Sequence, residues 1–430
     1  MSRRDKGAKG GKRGCLVMVT ALVVVALTVG GVYSRFGGFG TGPSADANEL
    51  ARYAAPVFDI AIPEGTRVVS LGEATHGNLE FQQLKLDVFK VLVERYGVRG
   101  FALEADAGGC ERVNRYIHGG EGTVQDAVGD LVFTIYRTDQ MAELISWMRA
   151  YNETAAPGQD LRFYGFDMQN YEHSFQLLLE EVHRLGVDAA PLEALWAGDD
   201  YAEGVSVEQM EAAYTEVRRA IEALGNEADT GLALHLVDCL LQNIELGRLV
   251  DSPEGYGARD RLMAQNVLWA LAQQEARGDG RLFVSAHNGH IQQTGSYGPD
   301  DKVMGALLAD ELGDAYYAMG TDFFRATVNL PEGDGERMTH TFYSYDPLAK
   351  AAANGGLGTC WLDFSRVPQD SSLRAYIDEP IMMGSVGEGF NALMYVLPQT
   401  YRVKREPASP YDSMVFVAYA TPTEIVEVTR

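Results

Sequence analysis

With 430 residues, 46% of them hydrophobic and 22% charged, the chain has the composition of a folded protein with a large core and not that of a disordered chain. Its formal net charge is −24, and the first forty residues hold seven basic side chains against one acid, which leaves −30 for the remainder. A body this acidic repels nucleic acid and anionic membrane surfaces, so we expect no nucleic-acid partner.

The N-terminal segment differs from the rest of the chain. Residues 1–14 are basic, residues 15–33 carry no charge, and residues 34–47 are rich in Gly, Ser and Pro. The uncharged run approaches the roughly 20 residues of a membrane-spanning helix, and the basic residues before it favour a cytoplasmic N-terminus. The sequence therefore predicts a single-pass signal anchor, a flexible tether and an extracytoplasmic body at 48–430. The alternative is a signal peptide cleaved near Ala45–Ala47, which would make the body a secreted protein.

The run VVSLGEATHG at Val68–Gly77 joins a predicted strand to a predicted helix. Its apolar first half is typical of a buried strand, and Gly72 allows the chain to turn. Glu73 and His76 follow, ahead of an amphipathic helix predicted at Leu79–Tyr96. An imidazole at the carboxyl edge of a strand, with a carboxylate three residues before it, is well suited to activating water at neutral pH.

Beyond this point strands and helices alternate, which predicts an α/β fold with a mainly parallel sheet flanked by helices. Between about 172 and 276 the pattern is helical only, and an all-helical insertion between two sheet strands is expected to cap the strand C-terminal ends. The predicted strands are Arg67–Leu71, Arg99–Glu104, Leu161–Phe166, Leu282–Ala286 and Ala315–Gly320, with further strands near Asn391–Val396 and Met414–Ala418.

Acids and histidines follow three of these strands. Glu73 and His76 follow the first, Glu104 ends the second, and His287 and His290 follow the strand at the fourth position. A single Glu or His after a strand is more often a helix cap or a satisfied polar residue, but three of the eight histidines fall in these short segments. Because the carboxyl ends of parallel strands share one crevice, we expect these side chains to form one site.

Further polar residues follow the same strand ends. Asp106 comes just after Glu104, and Asp167 and Gln169 follow the strand that ends at Phe166. Asp167 has two interpretations, a position at the rim of the crevice or a cap of the helix predicted to begin near Tyr171. We predict that Asp106, Asp167, Gln169 and His290 contact the substrate.

The residue types favour hydrolysis by an activated water. The sequence contains no GxSxG motif, which would mark a nucleophile elbow, so no covalent intermediate is expected. His76 would take a proton from water, while Glu73 and Glu104 orient its ring and stabilise the imidazolium. Either His287 or His290 would donate a hydrogen bond to the developing oxyanion or a proton to the leaving alkoxide.

A divalent-metal hydrolase is the alternative. His76, Glu73, Glu104 and His287 are all acceptable ligands for zinc or manganese. A general-base histidine and a metal-bound histidine both need a neutral imidazole beside carboxylates, so the sequence leaves this choice open. The preferred interpretation needs no cofactor.

Six blocks follow one another in the chain from about residue 48 onward: GEATHG at Gly72–Gly77, ALEAD at Ala102–Asp106, YGFDMQ at Tyr164–Gln169, RDRLMAQN at Arg259–Asn266, AHNGH at Ala286–His290 and YDSMVFVAYATP at Tyr411–Pro422. Together these blocks resemble the erythromycin esterase family. The resemblance implies a hydrolase of macrolide lactone rings or of another ester, and a small-molecule ester or lactone as substrate. It ties Glu73, His76, Glu104 and the second histidine block to activity. It also leaves a membrane-tethered binding protein of envelope polysaccharide assembly as a third hypothesis.

Overall fold

A mainly parallel sheet forms the centre of the molecule. The computed structural model describes residues 10–35, 38–249, 252, 254–298, 301–333 and 335–427. Within these residues the strands are β1 (Val68–Glu73), β2 (Gly100–Asp106), β3 (Arg162–Asp167), β4 (Trp196–Ala197), β5 (Asp200–Tyr201), β6 (Leu282–His287), β7 (Tyr316–Pro331), β8 (Arg337–Tyr343), β9 (Thr359–Asp363), β10 (Ile381–Gly384), β11 (Arg402–Arg405) and β12 (Ser413–Ala420).

Helices surround the sheet. In chain order they are α1 (Gly10–Arg35), α2 (Ala47–Tyr53), α3 (Leu79–Tyr96), α4 (Ala107–Ile117), α5 (Val124–Asp130), α6 (Asp139–Thr154), α7 (Glu172–Leu185), α8 (Ala190–Glu193), α9 (Val207–Glu222), α10 (Glu227–Leu249), α11 (Gly255–Ala276), α12 (Met304–Leu312), α13 (Pro347–Asn354) and α14 (Arg374–Ile377).

The sheet has the strand order β3-β2-β6-β1-β7-β12-β9, and β8 pairs with β7. Every pair from β3 to β12 is parallel, while β8 and β9 run antiparallel to their neighbours. Side chains alternate between two cores, with Val69 and Leu71 on one face of β1 and Val68 on the other. The predicted α/β class is confirmed.

One predicted strand is wrong. At Asn391–Val396 the chain forms a short 3₁₀ helix, in which the Asn391 side chain accepts a hydrogen bond from the backbone N–H of Leu393. Leu393, Tyr395 and Val396 of this run are exposed and not buried in a sheet. The run resembles a strand in composition, but it has no neighbouring strand against which to bury its side chains.

The segment between β3 and β6 is helical, as predicted, apart from the short β4–β5 hairpin. Helices α7, α9 and α10 share a hydrophobic cluster of their own, which includes Phe175, Tyr214 and Leu236. Helix α11 instead packs against β3, β2 and β6, so its N-terminal end lies close to the carboxyl ends of those strands.

The structure bears on two predictions for the N-terminal segment, the membrane anchor and the flexible tether. Residues 15–33 lie within α1, although residues 1–9 and the side chains of residues 10–17 lie outside the described part of the chain. Among the residues that the structure describes, no helix has the length and apolar character needed to cross a membrane. Residues 38–46 also differ from a free tether, because Ala45 N–H donates to Pro347 O at 2.9 Å and Lys350 Nζ donates to Gly40 O at 2.8 Å.

Candidate active site

Strands β1, β2 and β6 bring three of the predicted residues together. Glu73 lies opposite His287 in the β1–β6 register, and Asn288 N–H donates to Glu73 O at 2.9 Å. The backbone N–H of His287 donates to Glu104 Oε2 at 2.8 Å. The carboxyl ends of the three strands therefore form one edge, as the parallel-sheet rule predicts.

Glycines at both ends of the GEATHG run let it fit against its neighbours. A Cβ atom on Gly72 would lie 2.2 Å from Asn288 Oδ1, and one on Gly77 would lie 2.1 Å from Asn329 O. Any side chain at these positions would push the loop away from β6 or β7. Both glycines thus fix the position of His76 relative to His287.

His76 and Glu73 form a buried pair. His76 Nδ1 lies 2.8 Å from Glu73 Oε1, so the proton on Nδ1 is shared with the carboxylate and Nε2 is left for chemistry in the cleft. Burial alone would lower the pKa of His76, but the hydrogen bond to Glu73 and the charges of Glu73, Glu104 and Glu388 raise it above its ordinary value.

Lys85 completes this group from helix α3. Its Nζ donates to Glu73 Oε2 at 2.7 Å and to Gln82 Oε1 at 3.0 Å, and the lysine is 1% exposed. Burial would raise the pKa of Glu73, yet Lys85 and His76 outweigh it and hold that pKa below its usual range. Glu73 is therefore ionised, and both of its oxygens are engaged.

A second ionic group surrounds Glu104. Arg259 donates from Nη2 to Glu104 Oε1 at 2.8 Å and to Asp167 Oδ2 at 2.6 Å. His290 lies beside them, with Nε2 3.4 Å from Glu104 Oε1 and Nδ1 2.5 Å from Asp260 Oδ1. Burial opposes ionisation of Glu104, but His290 and Arg259 hold its pKa far below the ordinary value. His290 has its own pKa raised by Glu104 and Asp260, against the effect of burial.

His287 differs from its two neighbours. Its Nδ1 accepts the backbone N–H of Gly289 at 3.1 Å, which places the ring proton on Nε2. That buried Nε2–H has no hydrogen-bond partner among the described residues. Burial and the nearby His76 and His290 lower the pKa of His287 to about 3, so the ring is neutral at physiological pH.

His76 and His287, together with Glu104, Arg259 and His290, line one cleft of about 940 Å³. Its other walls come from the loop at 133–136, from the start of α11 and from the region around β7 and β8. Arg337 and Glu388 form an ion pair in the last of these walls. The lining residues are His76, Glu104, Phe133, Thr134, Ile135, Tyr136, Gln169, Tyr256, Arg259, His287, His290, Pro331, Gly335, Arg337, Gly387 and Glu388.

The structure places the predicted substrate-contact residues in two settings. His290 and Gln169 line the cleft, and Asp167 lies directly behind it on Arg259. The other interpretation of Asp167, a cap of α7, is wrong, since the N-cap residue of that helix is Tyr171. Asp106 does not line the cleft. Its carboxylate instead accepts the N–H of Gly109 and caps α4.

Four residues near the site carried no predicted role: Lys85, Tyr136, Arg259 and Asp260. Three of them had a detectable signal. Lys85 lies on the apolar face of α3 between Phe81 and Phe89, where a solvated lysine is not expected. Arg259 and Asp260 begin one of the blocks that carried the family resemblance, although no partner for them was assigned.

The carboxylates of the predicted metal-ligand set already have other partners. Glu73 is occupied by His76 and Lys85, and Glu104 is occupied by Arg259 and a backbone N–H. A cation added here would compete with Lys85 and Arg259 for the carboxylates. Across the described residues, no group of three or more His, Cys, Asp or Glu side chains is arranged to hold a metal.

Comparison with known proteins shows which family the chain belongs to. The family model described as erythromycin esterase matches residues 93–419. The chain belongs to the erythromycin esterase family. Erythromycin esterase type II of Escherichia coli is 26% identical over 356 residues, which cover 71% of this chain and 82% of that protein.

Solved structures support the same fold for this erythromycin esterase family member. A succinoglycan biosynthesis protein aligns with a TM-score of 0.73 at 20% identity, covering 88% of this chain and 98% of that one. A mutant erythromycin esterase in its open conformation aligns with a TM-score of 0.56 at 18% identity, covering 85% of this chain and 93% of that one. Identities this low bear on the fold and leave the substrate undetermined.

Proposed function

We propose that the protein hydrolyses a carboxylic ester or lactone by direct attack of water, without a covalent intermediate. The observation that carries the proposal is a raised-pKa histidine, His76, beside a neutral histidine, His287, in the same cleft. Two histidines whose environments move their pKa values apart can divide base and donor roles between them.

The first step is attack on the carbonyl carbon. His76 Nε2 takes a proton from water as the oxygen forms its bond to carbon, and Glu73 stabilises the resulting imidazolium through Nδ1–H. The carbonyl π electrons move onto oxygen, where the Nε2–H of His287 donates a hydrogen bond. A buried donor without a partner is available for this purpose, because it has no competing bond to break.

The second step expels the alcohol. The tetrahedral intermediate re-forms its carbonyl, the carbon–alkoxide bond breaks, and the imidazolium of His76 returns its proton to the alkoxide. Water and ester thus become acid and alcohol, and His76 ends neutral. Glu104, Arg259 and His290 hold the backbone of His287 and the acidic edge of the cleft in place.

An ester screen tests the proposal. The panel would contain erythromycin, because the E. coli relative is named for it, together with small aliphatic and aryl esters. We expect hydrolysis of at least one member at an unchanged rate after exhaustive chelation with EDTA and 1,10-phenanthroline. Loss of activity on chelation, restored by zinc or manganese, would instead support the metal-dependent alternative.

Incorporation of ¹⁸O from labelled water without a covalent adduct in the mass spectrum would support direct attack.

Lys85 offers a test through pH. We expect Lys85→Met to shift the acid limb of kcat/KM upward by about one pH unit, because the unopposed charge of Glu73 would raise the pKa of His76 further. Lys90→Met is the matched control, since Lys90 lies on the same helix with Nζ 5.6 Å from the centroid of the Trp147 ring. A limb at the wild-type position in Lys85→Met would show that Lys85 does not act on the base.

A further inference from the structure

Tyr136 is a buried tyrosine whose hydroxyl has no role in the mechanism proposed above. The residue is fully buried, and its Oη has no hydrogen-bond partner among the described residues. Buried hydroxyls nearly always have a partner, since leaving one unsatisfied costs about 1–3 kcal/mol. Tyr136 nevertheless lines the same cleft as His76 and His287. An unpaired hydrogen-bond donor on a residue that lines the cleft is suited to binding an atom of the substrate.

The backbone holds the ring firmly in position. Tyr136 ends the 3₁₀ turn that begins at Thr134, and its carbonyl accepts the N–H of Thr138 at 2.9 Å. Thr138 in turn caps helix α6 by accepting the N–H of Met141. Lys85 Nζ lies 5.7 Å from the centroid of the Tyr136 ring. The ring is therefore fixed beside the lysine that binds Glu73.

We propose that the Tyr136 hydroxyl and the Nε2–H of His287 are the two hydrogen-bond donors that stabilise the oxyanion. The inference rests on the proposed ester hydrolysis and adds a catalytic residue to it. Both donors are buried, both lack a partner, and both belong to the cleft that contains His76. Preorganised donors of this kind act where charge develops and need no reorganisation during the reaction.

The charges around Tyr136 define which role it can take. Burial, and after it the negative charges of Glu104, Glu73 and Asp167, raise the pKa of the phenol well above its ordinary value, while Arg259 opposes them. The hydroxyl therefore keeps its proton at any physiological pH. It can donate a hydrogen bond to an oxyanion, but it does not serve as a base, and the proton stays on the phenol throughout the reaction.

The substitution Tyr136→Phe tests the inference, because it removes one oxygen and keeps the ring. We expect kcat for the hydrolysed ester to fall about 10²-fold with KM nearly unchanged. We expect the melting temperature to stay the same or rise, since the hydroxyl removed has no partner in the folded protein. A phosphonate analogue of that ester should lose affinity by about the same factor as kcat/KM, because it carries the charge of the transition state.

Tyr317→Phe is the matched control. Tyr317 is also buried, 5% exposed, and it is the second residue of β7, outside the cleft lining. Its substitution should leave kcat and phosphonate affinity at wild-type values. A Tyr136→Phe protein with kcat within about threefold of the wild type, or with the loss confined to KM, would overturn the inference while leaving ester hydrolysis in place. A wild-type protein that cleaves no ester would overturn the proposed function and this inference together.

Discussion

Replacing His76 by alanine should reduce hydrolysis by at least about 10²-fold and leave the fold intact. His76 has the geometry that a general base requires. Its Nδ1 lies 2.8 Å from Glu73 Oε1, and its Nε2 is left for the substrate cleft. The loss should appear in kcat, because the base acts during attack and not during binding. Turnover of the ester identified by the screen and circular dichroism would measure both parts of the prediction.

His183→Ala provides the control for loss of an imidazole. His183 lies on α7 with 56% of its side chain exposed, and its contact is an exposed pair with Glu193. This variant should keep wild-type activity. A folded His76→Ala protein that retains more than about a tenth of the wild-type rate would exclude the general-base role, since such a role is worth about 10²-fold or more.

The pH dependence of the wild type follows from the same pair. His76 accepts a proton only when it is neutral, and its pKa is raised in the folded protein. As the pH falls through that raised pKa, the imidazole becomes charged and kcat/KM should fall with it. The acid limb should therefore lie above the value of about 6.5 that is typical of a free histidine.

The sheet and its acidic edge were predictable because they depend on short-range patterns. An apolar run followed by a glycine and a polar pair predicted β1 and the positions of Glu73 and His76. The helical period of α3 predicted its bounds at Leu79–Tyr96, which the structure reproduces. Parallel strands then bring Glu104 and His287 to the same edge through a rule of topology, with no knowledge of distances.

The contacts behind these residues were not predictable from pattern alone. Arg259 reaches Glu104 from 155 positions away along the chain, and nothing local in the sequence pairs them. Tyr136 lies in a 3₁₀ turn whose hydrophobic residues show no helix or strand period. Such contacts depend on how loops pack over the strand ends, which is a property of the whole fold.

His287 illustrates how much the structure adds. The sequence left both His287 and His290 open as the oxyanion donor, with His287 placed among the catalytic residues and His290 among those that contact the substrate. In the structure His290 Nδ1 is bonded to Asp260, and its Nε2 lies 3.2 Å from Arg259 Nη1 and 3.4 Å from Glu104 Oε1, so both ring nitrogens are already engaged. His287 accepts a backbone N–H on Nδ1 and keeps a free, buried Nε2–H. The choice between them depends on tautomer and hydrogen bonding, neither of which a sequence records.

We expect His287→Leu to lower kcat by about 10²–10³-fold, the usual effect of removing one oxyanion donor. His287→Gln should recover part of the loss, because the amide nitrogen of glutamine can occupy nearly the position of Nε2 and donate a hydrogen bond from it. His235→Leu is a control for a buried neutral histidine, since His235 stacks on Trp269 away from the lining of the cleft. The kinetics of all three variants would be measured on the same ester.

The pH profile separates this donor from the base. Burial and the two neighbouring histidines lower the pKa of His287 to about 3, so its Nε2–H persists throughout the range in which His76 titrates. His287→Gln should therefore reduce the plateau of kcat/KM and leave the acid limb at its wild-type position, because histidine and glutamine are both uncharged at residue 287 in that range. A limb that disappears in His287→Gln would mean that His287, and not His76, takes the proton from water. Equal rates for the leucine and glutamine variants would show instead that the ring holds the cleft in shape and donates nothing to the oxyanion.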